Sequence, residues 1–429
     1  MPVAVFILGL AVFAQGTSEF MLSGLLPAVS ADLGVSLSQA GLLTSAFALG
    51  MVIGAPVLAA ATLRWPRRRA LALFLSVFAA AHVVSALTPD YGVLLTARIV
   101  SALANAGFWA VAAAAAVAMV PVQVRARALA VVVGGVTLAC VAGVPAGALL
   151  GQLWGWRSAF WAVAALSALS AVAVLRALPS GTAGRTGAGD QAETGARTGT
   201  GDPAETGGRT GAGAQAEAGG RAQAGTTGVR GELRALADSR VAVTYLLNAL
   251  VQGATFCAFT FLSPLVTEVA GLGEGWVPTM LVLFGAGAFA GISLGGRLAD
   301  ARPGQVLGYG AAALTAGWVL LALTAGVPAA LVSLIFVQGL LAFGLAPALT
   351  SRAYQLAAGA PTLAGAFATA AFNVGAAAGP GLGGLALDAG LGFRAPVWVA
   401  AGLMVLALAV LGWAARLGLR AAQEPAGSG

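Results

Sequence analysis

The sequence predicts an all-α membrane protein of twelve transmembrane helices in two six-helix halves. Three observations predict it. Of the 429 residues, 59% are hydrophobic and only 9% charged, and the mean hydropathy is +0.91; a soluble chain of this length would carry far more charge. Apolar runs recur twelve times, each near the roughly 20 residues a helix needs to cross a bilayer. The third observation is an internal duplication. Sliding the chain along itself by 237 positions places Gln15 and Gly16 on Gln252 and Gly253, Pro27 on Pro264, Gly54 on Gly291, Pro66 on Pro303, and Gly155 to Arg157 on Gly392 to Arg394.

The runs of the first copy lie near 4–28, 37–62, 70–88, 92–119, 127–150 and 156–177, and those of the second near 241–270, 276–299, 305–325, 327–350, 362–388 and 393–416. In hydrocarbon every backbone N–H and C=O must be satisfied internally, so such segments are expected as helices packed on one another; β-barrel spans would be about half as long. Arginine orients them, because all 22 basic residues are Arg and they cluster in alternate loops. Arg64 and Arg67 to Arg69 follow the second run, Arg125 and Arg127 the fourth, Arg302 the eighth, Arg352 the tenth, and Arg416 and Arg420 the last. The other loops hold mainly Asp32, Asp90, Glu268, Glu274 and Asp388, with Arg157 and Arg394 as exceptions. By the positive-inside rule the expectation is a multi-pass protein of the plasma membrane with both termini cytoplasmic. The first run lacks a charged leader and a small-residue cleavage site, so it reads as a membrane helix and not a signal peptide.

Residues 1–178 thus form a first bundle, 179–240 a linker, 241–418 a second bundle and 419–429 a tail. The linker repeats every 12 residues: GRTGAGDQAETG (184–195), ARTGTGDPAETG (196–207) and GRTGAGAQAEAG (208–219). With almost no large apolar side chain it cannot offset its ordering entropy, and a disordered cytoplasmic tether is expected, with an amphipathic lead-in from Glu232 to Arg240.

Several function classes drop out. A single His and two Cys inside apolar helices (Cys140 and Cys257) leave no metal-ligand cluster. No nucleotide-binding loop or hydrolase motif occurs, so neither an enzyme nor an ATP-driven pump is expected, and no cofactor. The pI of about 10.6 reflects the arginine loops, without the interleaved aromatics that would suggest nucleic acid.

What remains is polar residues at helical spacing inside the membrane. Gln15, Glu19 and Ser23 lie a turn apart on the first helix; Arg98, Ser101, Asn105 and Trp109 share a face of the fourth; Tyr245, Asn248, Gln252, Phe256 and Phe259 share one of the seventh. Three such stripes suit a central cavity for an amphipathic organic molecule, to which Asn373 on the eleventh helix is added by helical phase. The copies differ where it matters, since Glu19 and Arg98 fall opposite Phe256 and Ile335. A charged carboxylate at bilayer depth costs about 2.5–3.5 kcal/mol even on the lowest scales. Burial disfavours its charge and a nearby guanidinium favours it, opposed influences that a proton carrier needs. The competing reading of Glu19 and Arg98 is a structural polar anchor between helices 1 and 4. His82 reads as a histidine satisfied by a neighbouring helix, and Arg67 to Arg69 as a positive-inside anchor. Small residues around Pro145 and Pro380 mark helices 5 and 11 as packing and hinge elements.

These residues resemble the major facilitator superfamily, specifically its twelve-helix drug:proton antiporters and, among them, the chloramphenicol resistance exporters of actinomycetes. AVFAQGTSEFMLSGLLP (11–27) looks like the helix 1 signature with its membrane acid at Glu19, GAPVLAAATLRWPRRRAL (54–71) like the loop 2–3 motif, and the helix 4 sequence around Arg98 like the motif carrying an intramembrane Arg. GVPAG (143–147) and GWRSAFW (155–161) are similar to the helix 5 antiporter motif and its exit. The resemblance covers both halves but not the repeats. It departs at Leu63, where the motif usually has an Asp; the second copy keeps the acid, at Asp300.

The resemblance implies proton-driven efflux of a small amphiphilic antibiotic, chloramphenicol or a close phenicol, with Glu19 and Arg98 coupling protons; helical phase puts Gln15, Asn105, Trp109, Tyr245, Asn248, Gln252, Phe256 and Asn373 against the drug, and Arg64, Arg68, Asp300, Pro145 and Pro380 are expected to serve gating. The expected partners are a small-molecule drug, protons and the lipid bilayer, with a monomer as the working unit. Two alternatives stay open at this point: export of a sugar or other small metabolite, and a membrane scaffold or sensor acting through the linker.

Overall fold

The computed structural model describes residues 1–62, 65–178, 239–301, 303–356 and 361–416. The repeats of the linker, Arg64, and the tail beyond Arg416 lie outside the described residues. Twelve described helices are long and apolar enough to cross a membrane.

In chain order, α1 runs Val3–Phe20 and continues after Met21 as Leu22–Leu33; α2 is Leu37–Thr62, α3 Arg67–Leu87 and α4 Tyr91–Ala118. Helix α5 has three parts, Arg125–Leu138, the π-helical Ala139–Gly143, and Val144–Trp154; α6 is Trp156–Ala177. In the second half α7 is Ser239–Thr260, extended by Leu262–Pro264 and the π-helical Leu265–Val269. Then come α8 (Trp276–Ala301), α9 (Pro303–Thr324), α10 (Pro328–Leu356), α11 (Pro361–Asp388) and α12 (Ala395–Arg416).

Proline explains the interruptions. Pro27 has no N–H for the Ser23 carbonyl, and just before it the winding tightens, with Gly24 N bonding Met21 O at 3.1 Å. Its duplicate Pro264 precedes the widened turn of α7, and Pro145 follows the widened turn of α5. The run expected over 4–28 is therefore one continuous path with a break in it.

The halves repeat each other in packing as well as in sequence. Helix α1 packs on α5 and α6, α2 on α4, and α3 on α4 and α6; the same pairings recur as α7 on α11 and α12, α8 on α10, and α9 on α10 and α12. The halves meet along two seams that a two-fold axis would exchange, α2 against α11 and α5 against α8, with α1 and α7 touching between them. Even spans put both chain ends on one face. At the opposite face the halves are sealed: the Gln152 side-chain N–H donates to the Glu274 carbonyl (2.6 Å), the Phe261 ring plugs between Gly41 and Gly383, and Ser38 abuts Gly384. Within the first half that face is tied by Asp32, which accepts from Arg157 and from the Trp156 indole (3.1 Å); Arg157, then Trp156, hold its carboxyl below the usual carboxylate range.

Apolar side chains gain little by clustering in lipid, so close backbone approach carries helix association. Gly287, Gly291 and Gly295, one turn apart on α8, face the carbonyls of Phe336, Leu340 and Gly344 on α10, where a Cβ would collide with backbone. Gly412 on α12 meets nothing within 4 Å. We therefore expect Gly291→Leu to cost about 1–3 kcal/mol or more and to reduce the monodisperse fraction on size exclusion. Gly412→Ala should leave melting unchanged or raise it, since a helical Gly costs roughly 0.5–1 kcal/mol relative to Ala.

Candidate functional site

Between the halves, on the chain-end side of the seal, lies a narrow, nearly closed cleft. Its wall comes from five helices: Phe20 on α1, Cys140 and Val144 on α5, Thr255, Phe256 and Phe259 on α7, Leu281 and Phe284 on α8, and Phe343 on α10. The void stops where Gly24, one turn beyond Phe20, closes on Ala148 and Leu281. A smaller crevice beside it is lined by Glu19, Phe20, Ser23, Thr44, Phe256, Phe259 and Thr260.

The wall is a run of interlocked rings. Phe20 stacks on Phe256 with centroids 5.7 Å apart and meets Phe259 edge-on at 6.4 Å; Phe256 meets Phe372 at 5.7 Å, Phe259 meets Phe284 at 4.6 Å, and Phe284 meets Phe343 at 6.1 Å. The π turn of α5 shapes one side. It brings the Cys140 carbonyl against Gly285 of α8, so the two halves touch there without a side chain between them. The wall offers ring faces from both halves, the Thr255 hydroxyl and, next door, a carboxyl. No group of three or more His, Cys, Asp or Glu positioned for a metal occurs among the described residues.

Glu19 is half-buried and reaches the crevice. Arg98 is fully buried but points elsewhere. Its Nη1 donates to the Ser18 hydroxyl (2.9 Å) and carbonyl (3.2 Å), and its guanidinium lies 4.4 Å above the Phe47 ring. No direct ion pair joins it to Glu19, and its Nε and Nη2 have no hydrogen-bond partner. Both amide atoms of Gln15, Asn105 and Gln252 are buried without a partner as well. Trp109 packs within the first half, between its two apolar clusters.

On the second half Phe256 lies in the wall, whereas Tyr245 and Asn248 reach α11. The Tyr245 hydroxyl donates to the Ala364 carbonyl (3.1 Å) and its ring stacks on Phe367; the Asn248 amide donates to the Ala368 carbonyl (3.0 Å). Asn373 donates to Thr369 O one turn back (3.0 Å) and leaves Oδ1 unpartnered. Of the gating candidates, Arg68 lies half-exposed in the first turn of α3, Asp300 is the penultimate residue of α8, Pro145 opens the last part of α5, and Pro380 sits inside α11. His82 is held by neighbours, its Nδ1 at 2.8 Å from Phe78 O and its Nε2 at 2.6 Å from the Ser18 hydroxyl.

The search for polar stripes missed the walls on α5, α8 and α10, which are apolar. One signal was present: the 237-residue offset pairs Phe284 with Phe47, the ring beneath Arg98. The void also offers a direct check. Cys140 borders it and is partly exposed, while Cys257 is buried with its thiol donating to Pro396 O at 3.2 Å. A small membrane-permeant maleimide should modify Cys140 well before Cys257, as read by mass spectrometry of digested protein; the reverse order would mean the void is not reachable.

A family model described as the Major Facilitator Superfamily matches residues 8–370. The chain is 48% identical to a chloramphenicol resistance protein of Streptomyces lividans, over 96% of this chain and 95% of that one. It is 28% identical to a chloramphenicol efflux pump of Mycobacterium tuberculosis, over 94% and 89%. Among solved structures it is similar to a bacterial homologue of the human lysosomal transporter Spinster, with a TM-score of 0.71, 17% identity and 98% of each chain covered. The family model spans most of the chain, including the spans of both halves up to α11, and the chain belongs to the Major Facilitator Superfamily.

Proposed function

We propose that this protein exports chloramphenicol or a close phenicol from the cytoplasm, in exchange for protons entering from outside. The single observation that carries this reading is the juxtaposition of an aromatic void with one intramembrane carboxyl, Glu19, at the meeting of the halves. The similarity over nearly the whole chain to a chloramphenicol resistance protein supports the cargo. A neutral aromatic drug suits ring faces and a hydroxyl, and a proton suits a carboxyl one residue from Phe20. Glu19 carries the proton, Arg98 tunes it from the Ser18 side, and Phe256 meets the drug. Gln15, Asn105, Trp109, Gln252 and Asn373 supply polar and aromatic groups as the cavity opens, with Tyr245 and Asn248 steadying α7 against α11.

The chain-end face is assigned to the cytoplasm by the arginine loops. The sealed face is then the outer one, and transport requires the two bundles, 1–178 and 241–418, to rock about the seams until that seal parts. Arg64, Arg68 and Asp300 serve the inner closure, and Pro145 and Pro380 the bending of α5 and α11. The energetics suffice: one proton moving down one pH unit and 100 mV releases about 3.7 kcal/mol, enough for a gradient of several hundred-fold in a neutral drug. The linker 179–240 is a cytoplasmic tether, and one chain is the working unit.

In a sensitive host, cells expressing the wild type should accumulate less chloramphenicol than controls, and accumulation should rise to the control level with a protonophore or with Glu19→Gln. Equal accumulation in all cells would sink the phenicol reading. Deleting residues 184–219 should leave resistance unchanged; loss of resistance with normal membrane levels would point instead to a scaffold acting through the repeats.

A further inference from the structure

Ser18 precedes Glu19 but faces away from the crevice, toward α3 and α4. There it joins a buried hydrogen-bonded chain whose polarity can be worked out atom by atom. A guanidinium only donates, so the Ser18 hydroxyl oxygen accepts from Arg98 Nη1 (2.9 Å). Its one hydrogen is then left for His82 Nε2, 2.6 Å away. The imidazole must accept at Nε2 and carry its hydrogen on Nδ1, which donates to the Phe78 carbonyl at 2.8 Å. The hydroxyl and both ring nitrogens are satisfied in the neutral tautomer of the ring. Phe78 and Phe160 flank that ring, with centroids 4.3 and 5.8 Å away, and none of Ser18, His82 or Arg98 is more than 1% exposed. Phe47 covers the guanidinium from another side.

We infer that Ser18 and His82 are positioning residues for Arg98: the chain from Phe78 O through neutral His82 and the Ser18 hydroxyl fixes the guanidinium against the backbone beside Glu19, and so sets how strongly drug and proton exclude one another there. This rests on the reading of Glu19 as the proton carrier. Without the Ser18 hydroxyl, the guanidinium keeps only the longer bond from Nη1 to the Ser18 carbonyl (3.2 Å), since its Nε and Nη2 already lack partners. Glu19 is the acidic group within reach of its field. The other ionisable side chains facing this region are His82 on α3 and Cys140 on α5; Cys257 on α7 turns to Pro396 on α12, α2 adds none, and α6 carries Arg157 and Arg176 only at its ends.

The test uses purified full-length protein and chloramphenicol, with dissociation constants measured at pH 6 and pH 8 for the wild type, Ser18→Ala, His82→Phe, His82→Gln and Glu19→Gln. The ratio of the two constants reports proton–drug exclusion. His82→Phe keeps a ring between Phe78 and Phe160 but no acceptor, whereas His82→Gln restores an acceptor oxygen near the position of Nε2. Ser18→Ala and His82→Phe should change the ratio by about threefold or more, and His82→Gln should stay within about twofold of the wild type. Unchanged ratios in Ser18→Ala and His82→Phe, each monodisperse on size exclusion, would overturn the inference while Glu19→Gln, by abolishing the ratio, upholds the proton reading. A His82→Gln variant that matches His82→Phe would overturn it too. If Glu19→Gln itself keeps the wild-type ratio, the proton reading fails and the inference falls with it.

Discussion

Backbone proximity between helices is the constraint on which this structure depends. In hydrocarbon a leucine gains as much from a lipid tail as from another leucine, so association comes from van der Waals fit and weak polar contacts at short range. The Gly287, Gly291 and Gly295 row brings α8 onto α10 in this way, and Gly375 and Gly379 bring α11 onto the Ala249 and Gly253 carbonyls of α7. Rigid bundles made by close contact can move as bodies. The π turns lie on α5 and α7, and intrahelical prolines on α1, α2, α10 and α11.

The seams themselves are unlike the bundle interiors. Helix α5 meets α8 through a bare carbonyl against a glycine, and the far end of the interface is closed by the Phe261 ring between two glycines, by Ser38 against Gly384 and by the Gln152 to Glu274 hydrogen bond. Such contacts can part without leaving a buried charge behind. Arg98, Ser18 and His82 of the first half are placed differently, joined to one another behind the interface, where movement of one bundle against the other does not break their bonds.

Much of this was legible in the sequence, because lipid leaves few options. Span number follows from apolar length, and the repeated pairings follow from the duplication. The π turns at Ala139–Gly143 and Leu265–Val269 were not readable, since an i→i+5 bond needs no particular residue, although Pro145 and Pro264 beside them are visible. Helical phase put Arg98, Ser101 and Asn105 on one face, and all three are buried. Phase cannot name the partner on the facing helix. Arg98 bonds Ser18 and not Glu19, a difference of one residue and about 100° around α1. The walls on α5, α8 and α10 were not legible because Cys140, Val144, Leu281, Phe284 and Phe343 carry no polar group to set them apart from lipid-facing or packing residues.

Phe256 stands where strict duplication would have put a second glutamate, and both positions line the same crevice. Two carboxyls there would titrate as a coupled pair, sharing a proton over a broad pH range, with like charges pushing the bundles apart whenever both ionised. Exchanging one acid for a ring that stacks on Phe20 leaves a solitary acid whose protonation is an all-or-none event. Asymmetry at this pair of positions thus leaves the crevice a single carboxyl beside a ring in place of two coupled acids.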